Sequence, residues 1–369
     1  MKNGKQYIIW IDSLKGIAIC GIIMIHSGGA HLPSILGRIG DMGKYGVELF
    51  FILSAYLAYV SMASLNMWQN NGNRKTIVRW WIKKFLRLAP MYYLSLAICI
   101  FVPGAHSSYW LGEKTAITLW NILAHIFFLH GFFPHYVNSI VGVEWYLAVL
   151  VVFYICVPII YKYICSLERA IASFVVISII CFLMNKFISL YLPETGDAYI
   201  YSSYIGTFSF FVHLPTLLLG VIFYFLTLDN LKRVVNRKLL SYSLLLFALI
   251  MLGGQVYNRN SLSIFNTYTL FAFWFIYIAL SQVLWRCPLL NNCFWARLGK
   301  YSYPIYLFHY PLILLYDTYI SVKTGYIILD WGIKYIFVTL ITLYISYIVT
   351  KFIDIPIKKW INLKIQKII

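Results

Sequence analysis

Apolar residues along this chain gather into long runs separated by short polar stretches, instead of alternating or recurring on one face. Eleven such runs fall at roughly 14–31, 46–64, 86–103, 117–133, 143–164, 170–192, 203–228, 239–257, 264–285, 300–320 and 327–353. Each approaches the length a helix needs to carry the hydrocarbon core of a bilayer. The pattern predicts an all-α fold, a polytopic membrane helical bundle.

The polar stretches decide how the runs cross. Basic loops fall at 74–87, 162–169, 232–238 and 286–300, with a basic tail from Lys351. Lysine and arginine collect on the cytoplasmic side of membrane proteins, and eleven full crossings cannot put all of these loops there. A segment 117–133 that lies in the outer half without crossing removes the conflict. The expectation is about ten transmembrane helices plus one re-entrant or interfacial segment, both termini cytoplasmic, with Arg38, Lys44, Lys114, Arg259 and Lys323 outside. Residues 1–369 read as a single integral-membrane domain, with no soluble domain, low-complexity linker or internal repeat. The first run lacks a small-residue cleavage site and is expected to remain as a signal anchor.

Two stretches read as surface helices. The polar loop 66–75 leads into 76–87, an amphipathic helix on the inner interface with Trp80 and Trp81 at headgroup level. Pro90 then suits the first turn of the next span, where its missing N–H costs little. The tail at 354–364 reads as the second.

Composition agrees with this class: 61% of residues are hydrophobic, 19% aromatic and 11% charged. The 30 Lys and Arg against 12 acids would point to nucleic acid in a soluble protein. Here the excess sits in loops, so membrane lipids are the expected partner and no nucleic acid is. The cysteines Cys20, Cys99, Cys156, Cys165, Cys181, Cys287 and Cys293 are scattered without metal-ligand spacing, so neither a disulfide framework nor a metal site is expected.

His26 raises the question of chemistry. It follows the apolar run 16–25, eleven positions after Lys15. Ionisable groups inside a bilayer are costly and face a bundle interior, a cavity or a partner. Eleven helical residues set His26 roughly 16 Å above Lys15, about the reach of a pantetheine arm. Arg79, Lys83 and Arg87 recur every four residues, and Lys84 stands three before Arg87, so positive charge gathers on adjoining helix faces. Such a cluster suits a phosphorylated cofactor, although composition alone favours anionic lipid headgroups. A neutral imidazole suits removal of a proton from a hydroxyl attacking a thioester. The competing reading is a histidine that only hydrogen-bonds a neighbouring helix.

Two acids enter from the outer side, Glu48 and Glu144, each in a Gly-Val-Glu tripeptide and each near the level expected for His26. Each either orients the imidazole, holds an acceptor hydroxyl, or snorkels to the outer headgroups. His309 falls about halfway up the tenth run, 300–320, as a further polar member of the cavity. His130 and His135 are expected at the outer surface, and His31, His106 and His213 have no interpretable spacing.

Several stretches resemble one family. Residues 12–26 are similar to the first span of the acyltransferase-3 family, with its Arg or Lys, ten residues and His. Residues 46–55, Gly-Val-Glu-Leu-Phe-Phe-Ile-Leu-Ser-Ala, resemble its second span, where Gly is commoner than Ala55. Residues 83–90 resemble its Arg-x-x-Arg and Pro signature with Lys84 in the first Arg position. Residues 143–147 resemble its Val-Glu-x-x-Tyr element, and 298–311 its late-span Ser, Tyr, Leu, His and Pro.

The resemblance covers nearly the whole chain and implies a ten-span membrane acyltransferase of the kind that O-acetylates bacterial surface polysaccharides such as O-antigen. It implies acetyl-CoA as donor, no metal, and a surface or lipid-linked glycan as acceptor, in the bacterial inner (plasma) membrane. By this resemblance His26 is the catalytic base or acyl carrier, and Lys15, Lys84 and Arg87 hold acyl-CoA beside Arg79 and Lys83. Glu144 is its orienting or acceptor-binding partner, and Glu48 and His309 complete the catalytic candidates. Lys84 departs from the family arginine and offers phosphate a point charge instead of a bidentate fork. A succinyl donor, a permease or exporter of a glycan intermediate, and a homo-oligomer stay open as alternatives.

Overall fold

The computed structural model describes residues 2–65, 74–105, 117–191, 196–228, 234–257 and 265–368. Most of the 66–75 loop, and His106, lie outside the described residues. The helices are α1 (Lys2–His26), α2 (Ser34–Met42), α3 (Gly46–Ala63), α4 (Arg74–Phe101) and α5 (Leu119–Ile126). They continue as α6 (Trp145–Tyr163), α7 (Leu167–Tyr191), α8 (Gly196–Thr207), α9 (Phe210–Leu228) and α10 (Arg237–Tyr257). The last are α11 (Thr267–Leu284), α12 (Cys293–Lys300), α13 (Ser302–Tyr319), α14 (Ile327–Val349) and α15 (Ile355–Ile368). No strand occurs among the described residues.

Nine helices among the described residues are long and apolar enough to cross a bilayer. With this all-helical architecture, the chain is a multi-pass membrane protein. The remaining expected crossing is α13, of similar length but diluted by tyrosines, His309 and Asp317. At eight residues, about 12 Å, α5 is too short to cross.

Two of the differences from the sequence expectation bear on the candidate site residues. The first run was expected to continue to 31, but α1 stops at His26, where Ser27 N–H donates to Ile23 O (2.8 Å) and Gly28 turns left-handed at φ 95°. His26 therefore occupies the last turn of α1. The second difference is at Pro90, which lies inside the single 28-residue helix α4 and does not start a new one. The charged stretch 76–87 is the N-terminal half of that same helix. Its low hydropathy and the proline made one helix read as two.

The chain folds as two compact units. The first comprises Met1–Val60, Tyr163–Lys186 and Phe211–Ser302. Within it α1 meets α12 backbone to backbone at Gly16 and Gly299, and Ser13 Oγ donates to Asn292 O at 3.3 Å. Trp10, Tyr56 and Phe223 form its aromatic centre, with ring centroids 4.8–6.3 Å apart. At Gly220, α9 comes close to the backbone of Ile52 on α3. The second unit comprises Ser61–Lys162, Phe187–Phe210 and Tyr303–Ile369. Within it α4 and α13 are joined by Ser95 Oγ donating to Leu307 O (3.1 Å) and Tyr303 OH donating to Leu88 O (2.6 Å). A π-turn at Thr350–Asp354 leads from α14 into α15, which packs on α4.

Candidate active site

In the first unit, Lys15 and His26 lie on one unbroken helix. Lys15 Nζ stands 3.8 Å from Asp12 Oδ1, with both side chains largely shielded. His26 is half-buried at the helix end. Glu48, in the first turn of α3, is buried and its Oε1 lies 3.0 Å from His213 Nδ1 on α9. His213 is enclosed by aromatic rings, Phe51 at 5.1 Å and Tyr268 at 5.0 Å between centroids.

The level expected for Glu48 needs correction. A Cβ on Gly46 would stand 2.6 Å from Ala18 O and 3.1 Å from Ile22 Cγ1, so the start of α3 rests on the middle of α1. His26 lies one to two turns beyond those residues. His213 was unreadable from spacing, because its partner is brought to it only by the packing of α9 on α3.

In the second unit, a larger polar cluster surrounds Glu144. The chain turns at Asn138 (φ 59°) and Gly142 (φ 95°), which aims the N–H groups of Ile140 and Val141 at Glu144 Oε1, 3.0 and 3.1 Å away. His125 Nε2 lies 3.1 Å from the same oxygen. The other nitrogen, Nδ1, lies 2.8 Å from the Asn121 carbonyl, on α5, whose first turn is capped by Thr118. A carbonyl and a carboxylate both only accept, so both ring nitrogens of His125 face acceptors. Burial works against charge on Glu144, but the His125 hydrogen bond, the neighbouring imidazoles and the Ile140 N–H outweigh it and hold the carboxyl low.

His130, expected at the surface, is fully buried here. Its ring stacks on His125 at 4.5 Å, its Nε2 donates to the Glu144 carbonyl at 3.1 Å, and Tyr92 OH lies 3.5 Å from Nδ1. The left-handed Phe128 (φ 58°) lies in the bend after α5 that turns His130 inward. Tyr306 OH on α13 donates to Val143 O at 2.6 Å and so ties this loop to the helix bearing His309. His309 is buried, and its Nδ1 donates to Tyr306 O at 2.7 Å.

The basic cluster also belongs to the second unit. Arg79, Lys83, Lys84 and Arg87 project from the N-terminal half of α4, with Lys83 and Arg87 exposed. Lys84 Nζ sits 5.0 Å from both the Trp80 and Tyr154 ring centroids, a cation–π arrangement. Trp80 Nε1 donates to Ser61 Oγ (2.8 Å) and Trp81 Nε1 to Tyr154 O (3.0 Å), which anchors this face of α4. The sequence candidates are thus divided: Lys15, His26 and Glu48 in the first unit, and Arg79, Lys83, Lys84, Arg87, Glu144 and His309 in the second.

Comparison with known proteins agrees with the motifs. Residues 8–351 match the model of the acyltransferase domain family, acyltransferase-3. A Staphylococcus aureus (strain COL) protein, named only provisionally as an O-acetyltransferase, is 24% identical over 377 residues, covering 96% of this chain and 58% of its own length. O-acetyltransferase OatA of Staphylococcus aureus (strain NCTC 8325 / PS 47) is likewise 24% identical, over 380 residues, with the same coverage. The chain thus spans under two thirds of the length of these relatives. The match of the family model across nearly all of it shows that the chain belongs to the acyltransferase-3 family.

Proposed function

We propose that this acyltransferase-3 chain moves an acetyl group from cytoplasmic acetyl-CoA to a hydroxyl of a cell-surface or lipid-linked polysaccharide, in the bacterial inner membrane with both termini cytoplasmic. The observation that carries the reading is the unbroken helix between Lys15 and His26 in a chain of this family. A cation at one end and an imidazole roughly 16 Å along match a phosphorylated nucleotide and the thioester at the end of its pantetheine arm. The relatives' names support O-acetylation.

On this reading Lys15, Lys84 and Arg87 hold the phosphates, with Arg79 and Lys83 adding to the positive field. His26 takes the proton of the acceptor hydroxyl as its oxygen attacks the thioester carbonyl. The C–S bond breaks, and the proton passes to the departing thiolate. Glu144 holds the acceptor hydroxyl, and Glu48 and His309 are the remaining polar groups assigned to catalysis.

The test is mass spectrometry of surface glycans from cells fed labelled acetate and expressing wild type or His26→Ala at matched levels. Loss of a labelled acetyl ester in the variant is expected and names the acceptor. Glycan without ester in both strains would overturn acyl transfer in favour of export, and a succinyl ester would replace the donor. A companion variant, Arg87→Ala, should raise the donor concentration needed; unchanged donor dependence would remove Arg87 from the site.

A further inference from the structure

Three features of the second unit converge on Glu144. Its Oε1 receives three donors, His125 Nε2 and the N–H groups of Ile140 and Val141. Its Oε2 is equally buried and has no hydrogen-bond partner among the described residues. A buried acceptor left unsatisfied costs about 1–3 kcal/mol, so a carboxylate saturated on one oxygen and bare on the other is an arrangement suited to a donor from outside the chain. The third feature is the chain of support behind it. The Asn121 carbonyl fixes the His125 ring within α5, and Ser139 Oγ donates to Asn121 Oδ1 at 3.1 Å, so together with the His125–Glu144 contact α5 and the loop before α6 are tied at two points.

We propose that His125 is a positioning residue that clamps Glu144 Oε1 and keeps the carboxylate ionised, so that Oε2 accepts the hydroxyl of the acetyl acceptor. This rests on the reading of Glu144 given above and extends it to His125, a residue the motifs do not mark. The groups facing Glu144 are His125 on α5, His130 in the following turn, Tyr92 and Cys99 on α4, and Tyr306 on α13. Among them His125 alone makes a hydrogen bond to the carboxylate through a titratable side chain. Its imidazolium form supplies the opposite charge that favours the carboxylate. Without it Glu144 takes up a proton at higher pH and no longer presents an anionic acceptor.

The experiment uses membrane vesicles containing the full chain and its native acceptor. They are supplied with radiolabelled acetyl-CoA and assayed for base-labile acetyl ester from acidic to neutral pH. Glu144→Gln is expected to lower ester formation about 100-fold with the acetyl-CoA KM unchanged. His125→Gln, which still offers an N–H donor but no charge, is expected to move the acid limb of the rate upward by about one pH unit or more. The profile's shape does not depend on how much protein folds. The double variant should be no worse than Glu144→Gln alone.

If Glu144→Gln transfers acetyl at the wild-type rate, the role of Glu144 itself is wrong. If Glu144→Gln fails while His125→Gln keeps both the wild-type rate and the wild-type acid limb, only the positioning role falls. A double variant clearly worse than Glu144→Gln would also overturn it, by giving His125 a separate task.

Discussion

Each unit buries a glutamate against a histidine, and both acids close the same Gly-Val-Glu tripeptide, yet the two pairs are held in different ways. Glu48 stands on a helix and meets His213 from another helix, inside a ring of aromatic side chains. Glu144 stands just before α6, and backbone N–H groups of the preceding loop share its oxygen with His125. The tripeptide glycines differ too. Gly46 has ordinary helical angles and serves close approach to α1, whereas Gly142 serves a left-handed turn. The same three residues thus give a helix-mounted acid in one unit and a loop-clamping acid in the other, and what surrounds them sets which.

The sharpest way to break this comparison is to delete each acid. Glu144→Ala leaves the Ile140 and Val141 N–H groups and His125 Nε2 buried without their acceptor, a loss of about 3–5 kcal/mol. Glu48→Ala removes only the carboxylate 3.0 Å from one ring nitrogen of His213 and strands no backbone donor, about 1–3 kcal/mol. Thermal unfolding of the detergent-solubilised chain should therefore place Glu144→Ala well below Glu48→Ala, and equal losses would mean the loop donors find other acceptors.

The spanning helices were legible because length and hydropathy suffice to mark them. The segments expected at 46–64, 143–164 and 239–257 lie close to Gly46–Ala63, Trp145–Tyr163 and Arg237–Tyr257. Where charge or proline interrupts hydropathy the reading split, as at α4. At the site, the two acids stood out as ionisable groups in apolar runs. Their partners did not, because His125 and His213 become partners only through turns and helix packing that no local spacing encodes. His130, between Leu129 and Gly131 and four residues before Pro134, looked like an ordinary surface histidine, and only the bend at Phe128 and Leu129 folds it inward.

The glycines sharpen the comparison at smaller scale. Gly46→Ala would drive a methyl group against Ala18 O and Ile22 and should push α3 from α1, at about 1–3 kcal/mol. No residue with a Cβ avoids that clash, so Gly46→Asn should be no better than Gly46→Ala in the same unfolding assay.

Gly142 should behave in the opposite way. Its left-handed φ of 95° is open to glycine and strained for other residues, so Gly142→Ala is expected to cost about 1–2 kcal/mol. Asparagine enters the left-handed region more readily than alanine, and Asn138 already does so four residues earlier at φ 59°. Gly142→Asn should therefore recover part of the Gly142→Ala loss, where Gly46→Asn recovers none. The same pair of variants also reads the clamp, since the Ile140 and Val141 N–H groups reach Glu144 only if the turn keeps its shape. Hydrogen exchange at those two amides should rise in Gly142→Ala and fall back in Gly142→Asn. Unchanged exchange in both would detach the turn at Gly142 from the donors that hold Glu144.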